Sequence, residues 1–159
     1  MKHKLLTLSN LIYQNEYVEI RKSKNIIEKK FVKDSSEIFN FSEEWLETYN
    51  DFQQLYQCVP KIFEANQNKI VMEYIEGIRL DDYQTQNKNN QLINISIADR
   101  CVSLVQNCLE YSNQIGKLFL HSDMHPKNFI VRKDNSFCLI DPDSFVLYAK
   151  DFTGFTKLI

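Results

Sequence analysis

The sequence predicts an α+β fold in two successive parts: a small antiparallel sheet with one helix, then a reduced, mainly helical part that carries a β-hairpin. Three observations predict it. Short runs before residue 76 alternate apolar and polar residues, the period of a strand with one buried face. Two longer segments, 42–56 and 93–115, repeat their apolar residues at spacings of three and four, the period of a helix. The stretch 119–145, FLHSDMHPKNFIVRKDNSFCLIDPDSF, reads as a polar loop, two short strands around a turn, and a second polar loop.

Taken in order, residues 1–34 read as β structure. Residues 17–22 alternate, Ser23 and Lys24 supply a turn, and 25–32 form a second strand. In 42–56 the residues Trp45, Tyr49, Phe52 and Tyr56 line one helical face. Ser42 is the expected N-cap, and Glu43 and Glu44 favour the first turn because they face the positive end of the helix dipole. Residues 59–65 and 69–75 flank the polar turn Asn66-Gln67-Asn68 as a hairpin. The polar, Asn/Gln-rich stretch 81–91 reads as a surface loop or short helix. In 93–115, Ile97, Cys101, Val105, Cys108, Leu109 and Ser112 recur at helical spacing, and Gly116 supplies the stop. Residues 129–132 and 137–140 are strands joined by the turn Lys133-Asp134-Asn135-Ser136. Beyond Asp141, residues 146–159 supply at most one short element.

Length and composition set bounds. A chain of 159 residues makes one modest domain or two small lobes. Hydrophobic content of 43% and charged content of 25% are ordinary for a globular protein, and a net charge of -2 leaves no nucleic-acid footprint. No run approaches the roughly 18 apolar residues of a membrane span. The amino terminus has basic residues but no sustained apolar core, so it does not read as a signal peptide. Cys58, Cys101, Cys108 and Cys138 form no C-x-x-C, which fits free thiols in a reducing cytoplasm.

The chemistry concentrates in the loop–hairpin–loop. The two strands return Asp141 to the neighbourhood of Asp123 and Asn128. Two carboxylates and an amide at one edge suit a divalent cation with a polyphosphate, because hard cations take oxygen ligands.

His121-x-Asp123-x-x-x-x-Asn128, followed by Asp141-Pro142-Asp143, resembles the catalytic core of the protein-kinase-like superfamily, H-R-D-x-x-x-x-N then D-F-G. With His125 two residues after Asp123, the variant HSDMHPKN is most similar to the loops of aminoglycoside phosphotransferases, choline kinases and bacterial lipopolysaccharide kinases. The resemblance implies a bilobal kinase-like fold, one domain over 1–159 with an N-lobe at 1–75 and a reduced C-lobe at 76–159. It implies an ATP- and Mg²⁺-dependent phosphotransferase moving the γ-phosphate to a hydroxyl of a sugar, lipid headgroup, antibiotic or protein. Asp123 would be the base, and Asn128 and Asp141 the metal ligands, with Asp143 a weaker candidate. His121 would brace the loop, and His125 would brace it or approach the γ-phosphate. Lys29 would pair the phosphates. It is preferred to Lys30 because it shares a strand face with apolar Ile27, whereas Lys30 shares one with Glu28. Glu44, ahead of Glu47, would pair with that lysine. Met72 would abut adenine, with the Glu73 carbonyl and the Ile75 amide bonding its edge.

The sequence departs from the pattern in three places. No glycine-rich loop precedes the lysine strand, where Gln14-Asn15-Glu16 stands instead, and these residues cannot bring bare backbone to phosphate as glycines do. The Phe and Gly of D-F-G are missing. Only 18 residues follow Asp141, so the acceptor pocket is expected to be minimal, borrowed from a protein partner, or absent. A pseudokinase, binding nucleotide or acting as a scaffold without turnover, is the alternative expectation. A metallohydrolase cluster of His121, Asp123 and His125 is a third, and it needs further ligands where the only other histidine is His3.

Overall fold

The computed structural model describes residues 9–32 and 41–148. It is an α+β protein whose contacts divide into two units, one comprising Met1–Gln53 and Pro60–Ile75, the other Gln54–Val59 and Glu76–Ile159.

The first unit is a five-stranded antiparallel sheet with a helix. β1 (Asn10–Gln14), β2 (Val18–Ser23), β3 (Ile26–Phe31), β4 (Ile62–Asn66) and β5 (Lys69–Glu73) follow the order β1-β2-β3-β5-β4. The central strand β3 pairs Lys29 with Ile20 on one side and with Ile70 on the other. α1 (Glu43–Tyr56) begins as its cap residue dictates: the Ser42 hydroxyl accepts from the Trp45 amide at 3.1 Å. Trp45, Tyr49 and Phe52 are its buried face. Trp45 and Tyr49 stack at 5.3 Å, and the Tyr49 hydroxyl donates to the Pro60 carbonyl at 2.9 Å, so the one polar atom of a wholly buried ring is satisfied.

The second unit opens with the two-residue strand β6 (Ile78–Arg79), which runs directly into α2 (Leu80–Gln86). The long helix α3 (Gln91–Ile115) follows. Asn90 caps it by accepting from the Ile93 amide at 3.2 Å, and Gly116 ends it in the left-handed conformation, φ 66°. Then come β7 (Leu118–His121), β8 (Phe129–Val131), β9 (Phe137–Leu139) and β10 (Phe145–Tyr148). β8 and β9 form the expected hairpin. Asp134 accepts from the amide and hydroxyl of Ser136 at 2.9 and 2.7 Å, and Asn135 takes φ 62°, as short polar turn residues tolerate. β6 extends this hairpin to three strands in the order β6-β8-β9.

Two elements go beyond the sequence reading. β7 and β10 pair as a separate antiparallel ribbon, Phe145 opposite His121 and Val146 opposite Leu120. The residues around Asn128 form a short 3₁₀ turn, Pro126–Asn128, where proline fixes the first dihedral. The stretch 81–91, left open between loop and helix, is helical as far as Gln86. β10 begins at Phe145, one residue before the short element expected over 146–159, and overlaps it as far as Tyr148; residues 149–159 of that expectation lie outside the described residues. All four cysteines are free thiols.

Candidate active site

His121 organises the second unit's polar loops. It ends β7 and is buried against the Phe145 ring, edge to face at 5.0 Å. Its Nδ1 accepts from the Asp123 amide at 3.2 Å. Its Nε2 lies 3.1 Å from the Ile140 carbonyl and 3.2 Å from that of Asp141. One tautomer satisfies all three contacts, with the proton on Nε2 and the lone pair on Nδ1. Burial pushes the imidazole pKa below its ordinary value, and the bond to the Ile140 carbonyl and the Asp141 and Asp123 carboxylates oppose that only in part, so the ring is held neutral. The backbones of Asp123 and Asp141, 18 residues apart in sequence, are thereby fixed one imidazole width from each other.

The Asp123 loop closes on itself. The His125 amide donates to the Asp123 carbonyl at 2.9 Å, and the Asn128 amide donates to the His125 carbonyl at 2.8 Å. Asn128 Nδ2 donates to the Asp123 carbonyl at 2.9 Å and to its Oδ2 at 3.0 Å. This fixes the amide's orientation: the NH₂ serves Asp123, and Oδ1 is turned to the other side. His125 Nδ1 accepts from the Lys127 amide at 3.3 Å, a cap within the loop. The Asn128 carbonyl accepts from the Ile140 amide at 2.7 Å, which sets the two loops side by side.

The Asp141 loop is held as tightly. Asp141 has φ 70° and ψ 61°, a left-handed backbone that costs about 1 kcal/mol or more in a non-glycine residue. Ser144 secures it, with its amide donating to the Asp141 carbonyl at 3.0 Å and its hydroxyl to Asp141 Oδ2 at 3.1 Å. The Ser144 carbonyl in turn accepts from the Ser122 amide at 2.7 Å and hydroxyl at 2.8 Å. Sequence reasoning missed Ser122 and Ser144. Their only local signal is adjacency to His121 and Asp143, and their pairing spans 22 residues.

The donor set fits the implied Mg²⁺. An amide oxygen and a carboxylate are hard oxygen ligands, and Mg²⁺ is usually held by one or two carboxylates together with substrate phosphates. Among the described residues no group of three or more His, Cys, Asp and Glu side chains could hold a metal by itself. With a proton on one His121 nitrogen and a backbone amide on the other, that ring has no lone pair to give a metal, which removes the basis of a His121–Asp123–His125 cluster.

The nucleotide-side candidates lie in the first unit. Lys29 is buried on β3, 7% exposed, its Nζ 5.9 Å from the centre of the Phe31 ring, whereas Lys30 is exposed. Glu44 and Glu47 are both exposed on α1. Met72 and Ile75 are buried and Glu73 is half-buried, its amide donating to the Lys61 carbonyl at 2.9 Å. At the β1–β2 turn, Asn15 Oδ1 accepts from the Tyr17 and Val18 amides at 2.8 and 2.7 Å, so those two donors are already satisfied.

Comparisons with known proteins agree on the class. The chain is 34% identical over 87 residues to a "Probable protein kinase UbiB" of Histophilus somni, and 30% identical over 84 residues to the "ABC1 family protein MCP2" of Saccharomyces cerevisiae. The matched stretches cover 54% and 50% of this chain but only 14% of either relative, so the chain spans a small part of their length. Among solved structures, a choline/ethanolamine kinase family protein from Mesorhizobium loti superposes with a TM-score of 0.54 at 9% identity, covering 91% of this chain and 60% of that one. Choline kinase LicA from Streptococcus pneumoniae gives 0.52 at 18% identity, covering 89% and 65%. Likeness at these identities establishes a protein-kinase-like fold. The model of the ABC1 atypical kinase-like domain matches residues 15–153, and the chain belongs to that family.

Proposed function

We propose that the chain is an ATP- and Mg²⁺-dependent phosphotransferase that moves a γ-phosphate to a hydroxyl acceptor. The observation that supports this reading best is the His121 staple, which holds the Asp123 and Asp141 backbones on one ring. Phosphoryl transfer needs positioning and charge neutralisation more than covalent help. Asp123 orients the acceptor hydroxyl and takes its proton. Asn128 Oδ1 and the Asp141 carboxylate hold Mg²⁺, which when bound neutralises the phosphate oxygens. Lys29 pairs the phosphates and Glu44 steadies it. Met72, Glu73 and Ile75 receive the adenine. The free cysteines suit a reducing, cytoplasmic setting. No described helix is long and apolar enough to cross a membrane.

Asp123→Asn tests the reading. The amide keeps the shape and loses the proton acceptor, so turnover of ATP with acceptor should fall about 10²–10⁴-fold while Mg·ATP still raises the melting temperature. Equal turnover in both proteins would sink it.

The β1–β2 turn favours a second reading, a pseudokinase that binds nucleotide or serves as a scaffold. Its Tyr17 and Val18 amides are already taken by Asn15 Oδ1, where a glycine-rich turn would offer free donors to phosphate. Mg·ATP stabilisation with no turnover against any hydroxyl would establish that reading.

A further inference from the structure

The second unit contains a cavity of about 520 Å³ between α2, α3 and the Asp123 loop. Volumes of roughly 300–1,000 Å³ are the range of small-molecule sites. Ile97, Val102 and Val105 of α3 form one wall, and Met124 and Pro126 form another. Met124 and Pro126 lie between Asp123 and Asn128, so the cavity and the proposed site share a loop. Its polar lining is Gln84, Asn94 and Gln106 with the Cys101 thiol, all uncharged. A cationic or anionic ligand would lose its water there without an opposite charge in return, whereas an apolar body with an uncharged polar group would be matched. Val102 and Val105 remain 55% and 37% exposed, so apolar surface is open for a ligand to cover.

We propose that this cavity holds the apolar body of an uncharged, amphipathic alcohol, the acceptor of the phosphotransferase reading, on which this inference rests. Because Met124 lines the cavity and directly follows Asp123, a body seated against Met124 would carry its hydroxyl toward Asp123. The acceptor oxygen bonds to the γ-phosphorus, the bond from that phosphorus to the β–γ bridging oxygen breaks, ADP leaves with the electron pair, and the hydroxyl proton passes to Asp123. The acceptor then differs in charge from the choline named for one structural neighbour.

The test uses the full chain with 1-octanol, D-glucose and choline as probes. Cys101 reports occupancy directly, since alkylation by iodoacetamide, followed by mass spectrometry, should slow at least several-fold with 1-octanol and not with the other two. With Mg·ATP, 1-octanol should be phosphorylated in preference to choline and D-glucose. In the double variant Val102→Gln/Val105→Gln, at two partly exposed positions, its KM should rise about ten-fold, the scale of removing a methylene contact from a pocket. Unslowed alkylation overturns the proposal. So does protection of Cys101 without octyl phosphate while D-glucose or choline is phosphorylated, which leaves the phosphotransferase reading standing. Protection of Cys101 with no Mg·ATP stabilisation and no turnover on any alcohol overturns the phosphotransferase reading itself, and the acceptor role falls with it.

Discussion

At the scale of residues, His121 joins the two polar loops, alongside the Asn128–Ile140 and Ser122–Ser144 bonds. Its folded-state pKa lies below the ordinary 6.5 because burial disfavours the cation. The unfolded chain therefore takes the proton first. Stability from this group is complete above pH 6.5 and declines as pH falls below it, until the folded imidazole itself protonates. The urea midpoint should drop between pH 7 and 5.5. His121→Gln should lower the midpoint at pH 7 and flatten that slope; parallel slopes would show that other groups dominate. Ser144 is the second such residue. Ser144→Ala removes the hydroxyl from Asp141 Oδ2 but keeps the backbone bonds to Asp141 and Ser122. Losing a hydrogen bond to a carboxylate costs about 1.5–3 kcal/mol when buried and less in this half-buried setting. Turnover should fall about ten-fold, the Mg²⁺ requirement should rise, and the melting temperature should change little. An unaltered Mg²⁺ dependence would argue that Ser144 does not orient the carboxylate.

At the scale of elements, what could be read from the sequence was local. α1 and α3 carry their own periods and caps, Ser42 at one start and Gly116 at one stop, and the β8–β9 hairpin carries its own turn. The candidate site motif was legible for the same reason, since Asp123 and Asn128 sit in one short loop and Asp141 follows two residues after β9, the second strand of the hairpin. The β7–β10 ribbon was not legible. Residues 118–121 carry no alternation or turn signal, and their partner, Phe145–Tyr148, lies across the hairpin. Ser112 was read as a helix-face residue, and its second role needs β7: its hydroxyl accepts from the Phe119 amide at 2.9 Å and donates to the Cys108 carbonyl at 2.6 Å. Gly77 belongs here too. A Cβ at this position would sit 2.4 Å from the Val131 carbonyl oxygen and 2.5 Å from Ile130 Cγ2. No side chain fits unless β6 and β8 part, so Gly77→Ala should destabilise by about 1–3 kcal/mol. Chemical denaturation measures it, and a loss under 0.5 kcal/mol would mean that the strands separate easily.

At the scale of the whole molecule, the thiols report how much of the protein must open at once. Burial raises Cys58 to about 11 and Cys108 to about 12, and Cys138 is wholly buried. Cys101, half-exposed on α3, is raised too, by burial alone. Only the thiolate alkylates, so both a high pKa and burial slow the reaction. Under native conditions at pH 8, iodoacetamide should modify Cys101 first. Cys58 meets the hairpin through its carbonyl, which accepts from the Leu139 amide at 2.8 Å, and Cys138 is the next residue along β9. Exposing Cys138 therefore requires β9 to leave both β8 and the Cys58 segment. Cys108, on the buried face of α3, requires that helix to leave the core. These three should become reactive together along a urea titration, with midpoints matching the loss of helical circular dichroism, as expected when local openings are rarer than global unfolding. Early labelling of Cys138 ahead of Cys108 would instead identify the hairpin, and with it the Asp141 end of the site, as a separately opening part.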